Sequence, residues 1–283
     1  MSLVPMSDIL EKANKEGYAV GGFNMNNLEA LQAIIEAAEE ENSPVILQAS
    51  EGAIRYINME YAAAMAKAAG EKASVPVALH LDHGSNFEKI IQCIRNGFSS
   101  VMIDGSKLPF EENIALTNKV IEAAHAAGIS VEAELGKIGG TEDDHTVEEK
   151  AATMTDPDEA VEFVEKTDVD ALAIAIGTAH GVYKGDPELD FDRLKTINQR
   201  LDIPIVLHGA SGVPNDDIAK AIELGINKIN VNTAFQQAFT AKMREVLEDP
   251  EVYDPRKICG PAKDAMKEKV IEKIRLFGSN NKA

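Results

Sequence analysis

The 283-residue chain has only two cysteines, and neither belongs to a metal or disulfide pattern. Cys93 and Cys259 lie far apart, in segments that look helical, and lack the paired spacing of a metal motif. The chain also lacks a signal-type N-terminus and an apolar run long enough to span a bilayer. These absences predict a reduced, cytoplasmic protein that does not bind membranes.

Basic residues are scarce as well. The 28 Lys and Arg face 47 Asp and Glu, which gives a formal net charge of −19 at pH 7. Nucleic acids and anionic membrane surfaces both require a basic face, so neither is an expected partner. A phosphorylated substrate is still allowed if a few cations and backbone amides are placed locally. We interpret part of the acidity, Glu36–Glu41, as a solvated helix face.

The sequence shows no internal repeat, no low-complexity tract and no second block rich in strands. Hydrophobic residues make up 45% of the chain, and strand-like apolar runs alternate with helical segments. The predicted strands are Tyr18–Phe23, Val45–Ala49, Val75–Leu81, Ser100–Ile103, Ile129–Leu135, Ala171–Ile176, Ile203–Leu207 and Lys228–Val231. Eight strands with intervening helices predict an α/β fold, a (β/α)8 TIM barrel, as one domain over residues 1–283. The alternative is an open doubly wound sheet, but no G-x-G-x-x-G follows the first strand.

Two segments depart from the alternation. The stretch from Gly136 to Lys150 is long, starts with glycine and is acidic, which is typical of a mobile lid over a barrel mouth. The tail over about 250–283 is additional to the barrel. We expect a helix from about Pro261 to Phe277 in it, packed on the barrel or on a neighbouring subunit.

Three of the six histidines follow a predicted strand in the same way, namely His83, His180 and His208. Such residues converge on one rim of a barrel, and three imidazoles with an open fourth position are typical of a catalytic zinc site. The alternative is three separate buried histidines, each with a local hydrogen bond. His80 could replace His83, but it lies on the same strand face as Asp82, whereas His83 begins the loop. The Asp82 carboxylate would lie near a metal-bound substrate, where it could move a proton, or it could cap the loop.

Segments that could hold a phosphate follow the last three predicted strands, and the first two of them are rich in glycine. They are Gly177–Gly181, Gly209–Gly212 and Asn230–Thr233. Barrels commonly build phosphate sites from these loops, using backbone N–H groups and a helix N-terminus. Each segment alone could be a simple turn, but together they predict a phosphate site beside the histidines.

These segments closely resemble the class II fructose-bisphosphate aldolases in their order and over essentially the whole chain. The matching motifs are His80-Leu81-Asp82-His83-Gly84, Val101-Met102-Ile103-Asp104, Glu132-Ala133-Glu134-Leu135-Gly136, His180-Gly181-Val182-Tyr183-Lys184-Gly185, His208-Gly209-Ala210-Ser211-Gly212 and Lys228-Ile229-Asn230-Val231-Asn232-Thr233. Tagatose-bisphosphate aldolases share nearly all of them. The tail motif Tyr253–Lys257 looks more like the fructose enzymes.

The resemblance implies a zinc-dependent lyase of glycolysis and gluconeogenesis that cleaves fructose 1,6-bisphosphate. By the same resemblance His83, His180 and His208 hold the catalytic zinc, and Asp82 is the proton donor. Asp104 and Glu134 match positions that can take a second metal. Glu142 matches a lid carboxylate implicated in moving the carbon-bound proton. The family often has an acidic residue before it, where this chain has Thr141.

The resemblance also implies substrate contacts and assembly. The matching positions are Asn24, Ser50, Gly181, Lys184, Gly209, Ala210, Ser211, Asn230, Val231, Asn232, Thr233 and Arg256. Carbonyls near Ala179, Gly181 and Gly209 resemble a monovalent-cation site for Na⁺ or K⁺. We expect a homodimer or homotetramer, with Arg256 reaching the site of a neighbouring subunit.

Three alternatives to a zinc aldolase are considered. A Schiff-base aldolase needs a lysine that projects into the mouth, but the sixth strand has none and Lys228 is placed at the wrong end of the eighth. A metal hydrolase would more usually have a His-x-His pair on the first strand, which here ends at Asn24. A non-catalytic phosphosugar-binding protein would have no use for Asp82 and Glu142.

Overall fold

The computed structural model describes residues 2–142, 145–147, 152–181, 183, 185 and 187–283, with backbone only for 141, 142 and 145–147. Among these residues eight parallel strands close into a barrel in the order β1-β11-β10-β8-β5-β4-β3-β2. The barrel strands are β1 (Val20–Asn24), β2 (Val45–Ser50), β3 (Val77–Gly84), β4 (Ser100–Ile103), β5 (Ser130–Leu135), β8 (Ala171–Ile174), β10 (Ile205–Leu207) and β11 (Ile226–Val231). This closed barrel confirms the predicted TIM barrel. The continuous apolar runs of the sequence form its strands because both faces of each strand are covered.

Helices connect the strands and form the outer layer. They are α2 (Leu28–Glu40), α3 (Glu51–Ile57), α4 (Met59–Lys72), α5 (Phe87–Arg95), α6 (Phe110–His125), α7 (Pro157–Thr167), α8 (Phe191–Asn198), α9 (Asn215–Glu223) and α10 (Thr233–Val246). The main core lies between these helices and the outer faces of the strands. No helix in the described part of the chain is long and apolar enough to cross a membrane.

A helix that the sequence did not predict closes the N-terminal end of the barrel. This helix, α1 (Met6–Glu16), buries Met6, Ile9, Leu10 and Ala13 against inward-facing strand residues. Its first N–H, on Met6, donates a hydrogen bond to the Ser130 hydroxyl at 3.0 Å. Because α1 lies before the first βα unit, the strand-helix alternation gave no signal for it.

The predicted lid is more regular than a loop. Within it lie two antiparallel strands, β6 (Gly139–Glu142) and β7 (His145–Val147). Strand β6 also pairs in parallel with β9 (Ala179–His180), so part of the segment predicted as a lid is strand. The backbone ladder that ties this segment to His180 requires residues distant in sequence, which is why local composition did not reveal it.

The tail forms one helix, α11 (Pro255–Phe277), that begins six residues before the expected start at Pro261. Asp254 caps it and Pro255 occupies the first helical position, so the start signal lies earlier and Pro261 is accommodated inside the helix. The helix packs on α10 and α2. Three of its cations pair with the acidic face of α2, through Lys263–Glu36, Lys267–Glu40 and Arg275–Glu41. That face is therefore only partly solvated, contrary to our interpretation.

Candidate metal centre and active site

The predicted site residues gather at the C-terminal ends of the barrel strands. Asp82 and His83 close β3, Glu134 lies near the end of β5, and His208 follows β10 directly. The pairing of β3 with β4 shifts register between Leu81 and Gly84. Within this irregular stretch His83 has a φ of +49°, a left-handed conformation that is uncommon for a residue other than glycine. Such local irregularities commonly redirect a side chain at an active site.

The three predicted histidines converge. The ring centroids of His83 and His208 lie 4.7 Å apart, those of His83 and His180 5.1 Å, and those of His180 and His208 5.9 Å. One nitrogen from each lies within 4.8 Å of the others, a spacing that could hold a metal ion. His80 is instead fully buried in the barrel, with its Nδ1 2.8 Å from the Ser100 hydroxyl. Of the two candidates on β3, His83 is therefore the one in the cluster.

The hydrogen bonds around two of these histidines fit a cation. His83 directs Nδ1 to Asp104 Oδ2 at 3.2 Å, and His208 directs Nε2 to Glu132 Oε1 at 2.8 Å. A carboxylate only accepts hydrogen bonds, so both nitrogens donate to it and their opposite nitrogens carry lone pairs. Those opposite nitrogens, His83 Nε2 and His208 Nδ1, face each other at 2.9 Å. Two lone pairs repel at that distance, and a bound cation would relieve the repulsion. Histidine ligands oriented by carboxylates are typical of zinc sites.

A second group of ligand atoms lies on the other side of His83. His83, Asp104 and Glu134 offer atoms within 4.8 Å of one another. Burial and the nearby Asp104 charge raise the pKa of Glu134 well above its usual value. Burial acts in the same direction on Asp104, but hydrogen bonds from His83 and Ser106 outweigh it and hold the Asp104 pKa below its usual range. Among the described residues, Glu134 Oε2 has no hydrogen-bond partner.

Two amides hold the buried Asp82 carboxylate at the mouth. Asn24 Nδ2 donates to Oδ2 at 2.8 Å, and Asn230 Nδ2 donates to Oδ1 at 3.1 Å. Gln48 Nε2 in turn donates to Asn24 Oδ1 at 3.3 Å. Asp82 is therefore oriented by neighbours from β1 and β11.

Two cavities meet at His180. The larger contains Ser50, Asp82, His83, Asp104 and Glu134 in its wall. The smaller is lined by His180, Gly181, Gly209, Ser211, Asn230, Asn232 and Thr233. The latter set includes most of the residues predicted to contact phosphate. Ala210 and Val231 are buried and are not part of this lining.

Gly209 shows why the smaller cavity needs glycine. Its φ is +69°, and a Cβ at this position would lie 2.5 Å from the carbonyl oxygen of Ala179. The same Gly209 contributes its carbonyl to a hydrogen bond from the Tyr183 hydroxyl at 2.9 Å. A side chain here would therefore separate two loops that jointly form the cavity.

Three further predicted residues make no contact with the site among the described side chains. The Arg256 side chain is 90% exposed and pairs with Asp254 Oδ2 at 2.8 Å, within its own tail. Glu142 belongs to β6, but its side chain lies outside the described residues, as does all of Lys184. Their proposed contacts stay predictions.

The sequence reasoning assigned no substrate contact to two cations in the wall of the larger cavity, Arg55 and Lys107. Arg55 lies one helical turn after Glu51 on α3, and Lys107 lies three residues after Asp104. Their proximity to predicted site residues was the available signal.

It also missed a buried ion pair below the histidines. Lys228 is in the middle of β11, not at its far end, and its Nζ lies 2.7 Å from Glu132 Oε2. The expectation about its position is therefore wrong, although the amine is fully buried in an ion pair. Burial alone would raise the Glu132 pKa, but the Lys228 charge and the His208 hydrogen bond hold it below its usual range.

The closed barrel, with three histidines clustered at its rim, indicates a TIM-barrel enzyme with a candidate metal centre. Residues 4–282 match the family model described as fructose-bisphosphate aldolase class-II. The fructose-bisphosphate aldolase of Geobacillus stearothermophilus is 54% identical, with 100% of this chain and 99% of the relative covered. That of Staphylococcus aureus (strain N315) is 53% identical, with both chains covered completely. The crystal structure of the YdjI aldolase from Escherichia coli K12 superposes with a TM-score of 0.89 at 40% identity, covering 99% of each chain.

The chain belongs to the class II fructose-bisphosphate aldolase family. The resemblance seen in its motifs is thereby confirmed.

Proposed function

We propose that this protein is a zinc-dependent aldolase that reversibly cleaves fructose 1,6-bisphosphate into dihydroxyacetone phosphate and glyceraldehyde 3-phosphate. The observation that carries the proposal is the cluster of His83, His180 and His208 beside the oriented carboxylate of Asp82. The family membership gives the reaction class, and the cavity next to the cluster suits an anionic substrate. This activity fits the cytoplasmic location that the sequence predicts.

The three histidines would hold the zinc ion. Bound zinc supplies Lewis-acid stabilisation of the negative charge that carbon–carbon cleavage leaves on the ketone half of the substrate. His83 and His208 contribute lone pairs that Asp104 and Glu132 orient from behind. His83, Asp104 and Glu134 form the site proposed for a second metal ion.

Asp82 is the proposed acid and base. Its carboxylate takes the proton of the C4 hydroxyl as the C3–C4 bond breaks, and returns it during condensation. Asn24 and Asn230 occupy one lone pair on each carboxylate oxygen and fix its orientation toward the cavity. Glu142, from β6, is proposed to move the carbon-bound proton of dihydroxyacetone phosphate.

The smaller cavity is the proposed site for the phosphate of the ketone half. Gly181, Gly209 and Ser211 line it, and the start of α10 at Thr233 adds a helix N-terminus, which attracts anions. Ser50, Lys184, Ala210, Val231 and Asn232 are proposed to support substrate binding. The carbonyls near Ala179, Gly181 and Gly209 are proposed to take Na⁺ or K⁺.

The second phosphate needs its own cation in a protein of net charge −19. We assign this role to Arg256 of a neighbouring subunit, in a homodimer or homotetramer. Its forked guanidinium suits phosphate, and it lies on an exposed tail that can reach outward. Arg55 and Lys107, from the same chain as the cavity, are the competing candidates.

The decisive experiment is an aldol-cleavage assay on fructose and tagatose 1,6-bisphosphates, with and without a chelator. We expect cleavage of the fructose epimer, loss of activity with chelator and recovery with Zn²⁺. Borohydride added with substrate should leave the enzyme active. Preferential cleavage of the tagatose epimer would change the substrate assignment, and borohydride inactivation with a labelled lysine would overturn the zinc mechanism.

A further inference from the structure

The barrel interior contains an ion pair that the reaction scheme above does not use. The side chains of Glu132 and Lys228 are both 0% exposed, and Lys228 Nζ lies 2.7 Å from Glu132 Oε2. The other carboxylate oxygen, Oε1, accepts a hydrogen bond from His208 Nε2 at 2.8 Å. One carboxylate thus joins a lysine to a histidine of the candidate metal centre.

Stability alone is a poor reason for this pair. Removing two charges from water is costly, and well-packed apolar residues often replace a buried ion pair without loss of stability. The barrel shows that it can fill its interior in that way, since Val20, Ile46, Ala78 and Val206 form an apolar layer nearer the N-terminal end. The pair therefore calls for a role beyond packing.

The geometry indicates what that role is. Because Glu132 Oε1 accepts from Nε2, the proton of the neutral His208 ring is on Nε2 and the lone pair is on Nδ1. That Nδ1 is the atom that faces His83 Nε2 at 2.9 Å. Without the carboxylate, the ring could protonate Nδ1 and would then present a donor where a metal needs a ligand.

Lys228 completes the arrangement. Its ammonium supplies the countercharge in the interior and binds Oε2, so that Oε1 is left for His208. His80 lies nearby, but its Nε2 is 3.5 Å from Oε2 and has no hydrogen-bond partner among the described residues, so it does not hold the carboxylate.

We propose that Glu132 and Lys228 act as a positioning pair, which sets the tautomer and orientation of His208 and thereby the affinity of the histidine cluster for a divalent metal. The inference rests on the proposed function only in assuming that the cluster binds metal. Neither side chain contacts substrate in this scheme, so both are positioning residues.

The experiment measures metal affinity in the absence of substrate. Metal-free wild type, Glu132→Gln and the double variant Glu132→Leu/Lys228→Met are titrated with Zn²⁺ against a chromophoric chelator, and urea unfolding is followed in parallel. Loss of an outer-shell partner typically weakens metal binding 10- to 100-fold, so we expect a reduction of that order in both variants. Visible absorption of the Co²⁺-loaded proteins should also change, because the ligand field at His208 changes.

Ser100→Ala is the matched control. It removes an equally buried hydrogen bond, but one made to His80 and not to a histidine of the cluster. We expect its metal affinity to match wild type even if its urea midpoint falls. The double variant should fold with a midpoint near wild type and still bind Zn²⁺ weakly.

Wild-type affinity in Glu132→Gln, or in a folded double variant, would overturn the inference and show that the pair serves packing alone. If the wild-type protein itself bound no Zn²⁺, the proposed function would fail instead. The two failures are therefore distinguishable.

Discussion

The two ends of the barrel differ in the residues that line them, which are apolar at the N-terminal end and polar at the C-terminal end. At the N-terminal end, α1 inserts the side chains of Met6 and Leu10 into an apolar layer. At the C-terminal end, buried polar groups such as Asp82 and Glu134 surround the larger cavity. The Glu132–Lys228 pair lies in the interior below the site and marks the change from one to the other. Stability and chemistry are thus separated along the barrel axis, as is general for this fold.

The largest effect is expected from a change at the C-terminal end. Asp82→Asn should lower turnover by roughly 10²- to 10⁴-fold, the loss typical of a missing acid–base group. Because the three histidines and the apolar core are unchanged, the fold and the Zn²⁺ content should stay as in wild type. Steady-state assays together with metal analysis test this. A variant that loses its metal instead would assign Asp82 a structural role.

The reciprocal change is at the N-terminal end. Leu10→Ala removes a fully buried side chain from the apolar layer and should destabilise the protein by about 2–5 kcal/mol, as core truncations do. Turnover per folded molecule should be unchanged, because the site lies at the other end. Urea unfolding and assays at low temperature measure the two quantities. A loss of turnover in the folded protein would show that the ends are coupled.

A third change distinguishes the cations proposed for the distal phosphate. Arg256→Ala should raise the KM for the bisphosphate roughly 10- to 100-fold, the range expected for a lost hydrogen bond to a charged group. Affinity for dihydroxyacetone phosphate should hardly change, since it lacks that phosphate. Arg55→Ala, in the cavity wall, is the comparison variant.

Hybrid oligomers made from two variant chains test directly whether Arg256 acts in the site of a neighbouring subunit. Hybrids of Arg256→Ala with Asp82→Asn should regain activity, because one site then has both groups. A fully active monomer, or a KM effect confined to Arg55→Ala, would place the distal contact within one chain.

The buried thiol of Cys93 reports whether a variant opens the core. Burial raises the Cys93 pKa to about 12, so at pH 8 the folded protein presents a neutral, inaccessible thiol. In the unfolded chain the pKa returns toward its ordinary value, and reactive thiolate appears at the same pH. We expect alkylation of Cys93 to be faster in Leu10→Ala than in wild type and unchanged in Asp82→Asn. Equal acceleration in both would mean that the site residues also stabilise the core.

The smallest effect on stability is expected from a change in an ion pair at the protein surface. Lys267→Met breaks the pair with Glu40 that links α11 to α2, and should cost less than about 1 kcal/mol. The difference should shrink at high salt, since exposed ion pairs are screened. Lys269→Met is the control, because its partner Glu272 lies on the same helix. A larger, salt-independent loss for Lys267→Met would show that the tail contributes more through this contact than a surface pair does.

The barrel and the histidine cluster could both be predicted from the sequence, and for the same physical reason. Parallel strands end at one rim, so His83, His180 and His208 converge without any knowledge of register. The Glu132–Lys228 pair could not be found in that way. Both residues lie inside strands, and their contact depends on which face each strand turns inward and on the height at which β5 and β11 meet across the barrel.

Other omissions have different origins. Helix α1 precedes the repeating pattern of strands and helices. The pairing of β6 with β9 joins residues forty positions apart, so it depends on tertiary structure that local composition does not contain. The start of α11 was marked locally, by Asp254 and Pro255, and the prediction chose the later Pro261 instead.

The pairing of β6 with β9 has a consequence for how the mouth opens. Gly140 lies beside His180 in the ladder, and a Cβ at Gly140 would come within 2.2 Å of the His180 carbonyl oxygen. The segment that carries Glu142 is therefore fastened to the backbone of a candidate metal ligand. If the β6 segment moves and its hydrogen bonds to β9 are kept, His180 must move with it. If those hydrogen bonds break, the strand that orients His180 is released. We therefore expect substrate access and retention of the metal to be linked.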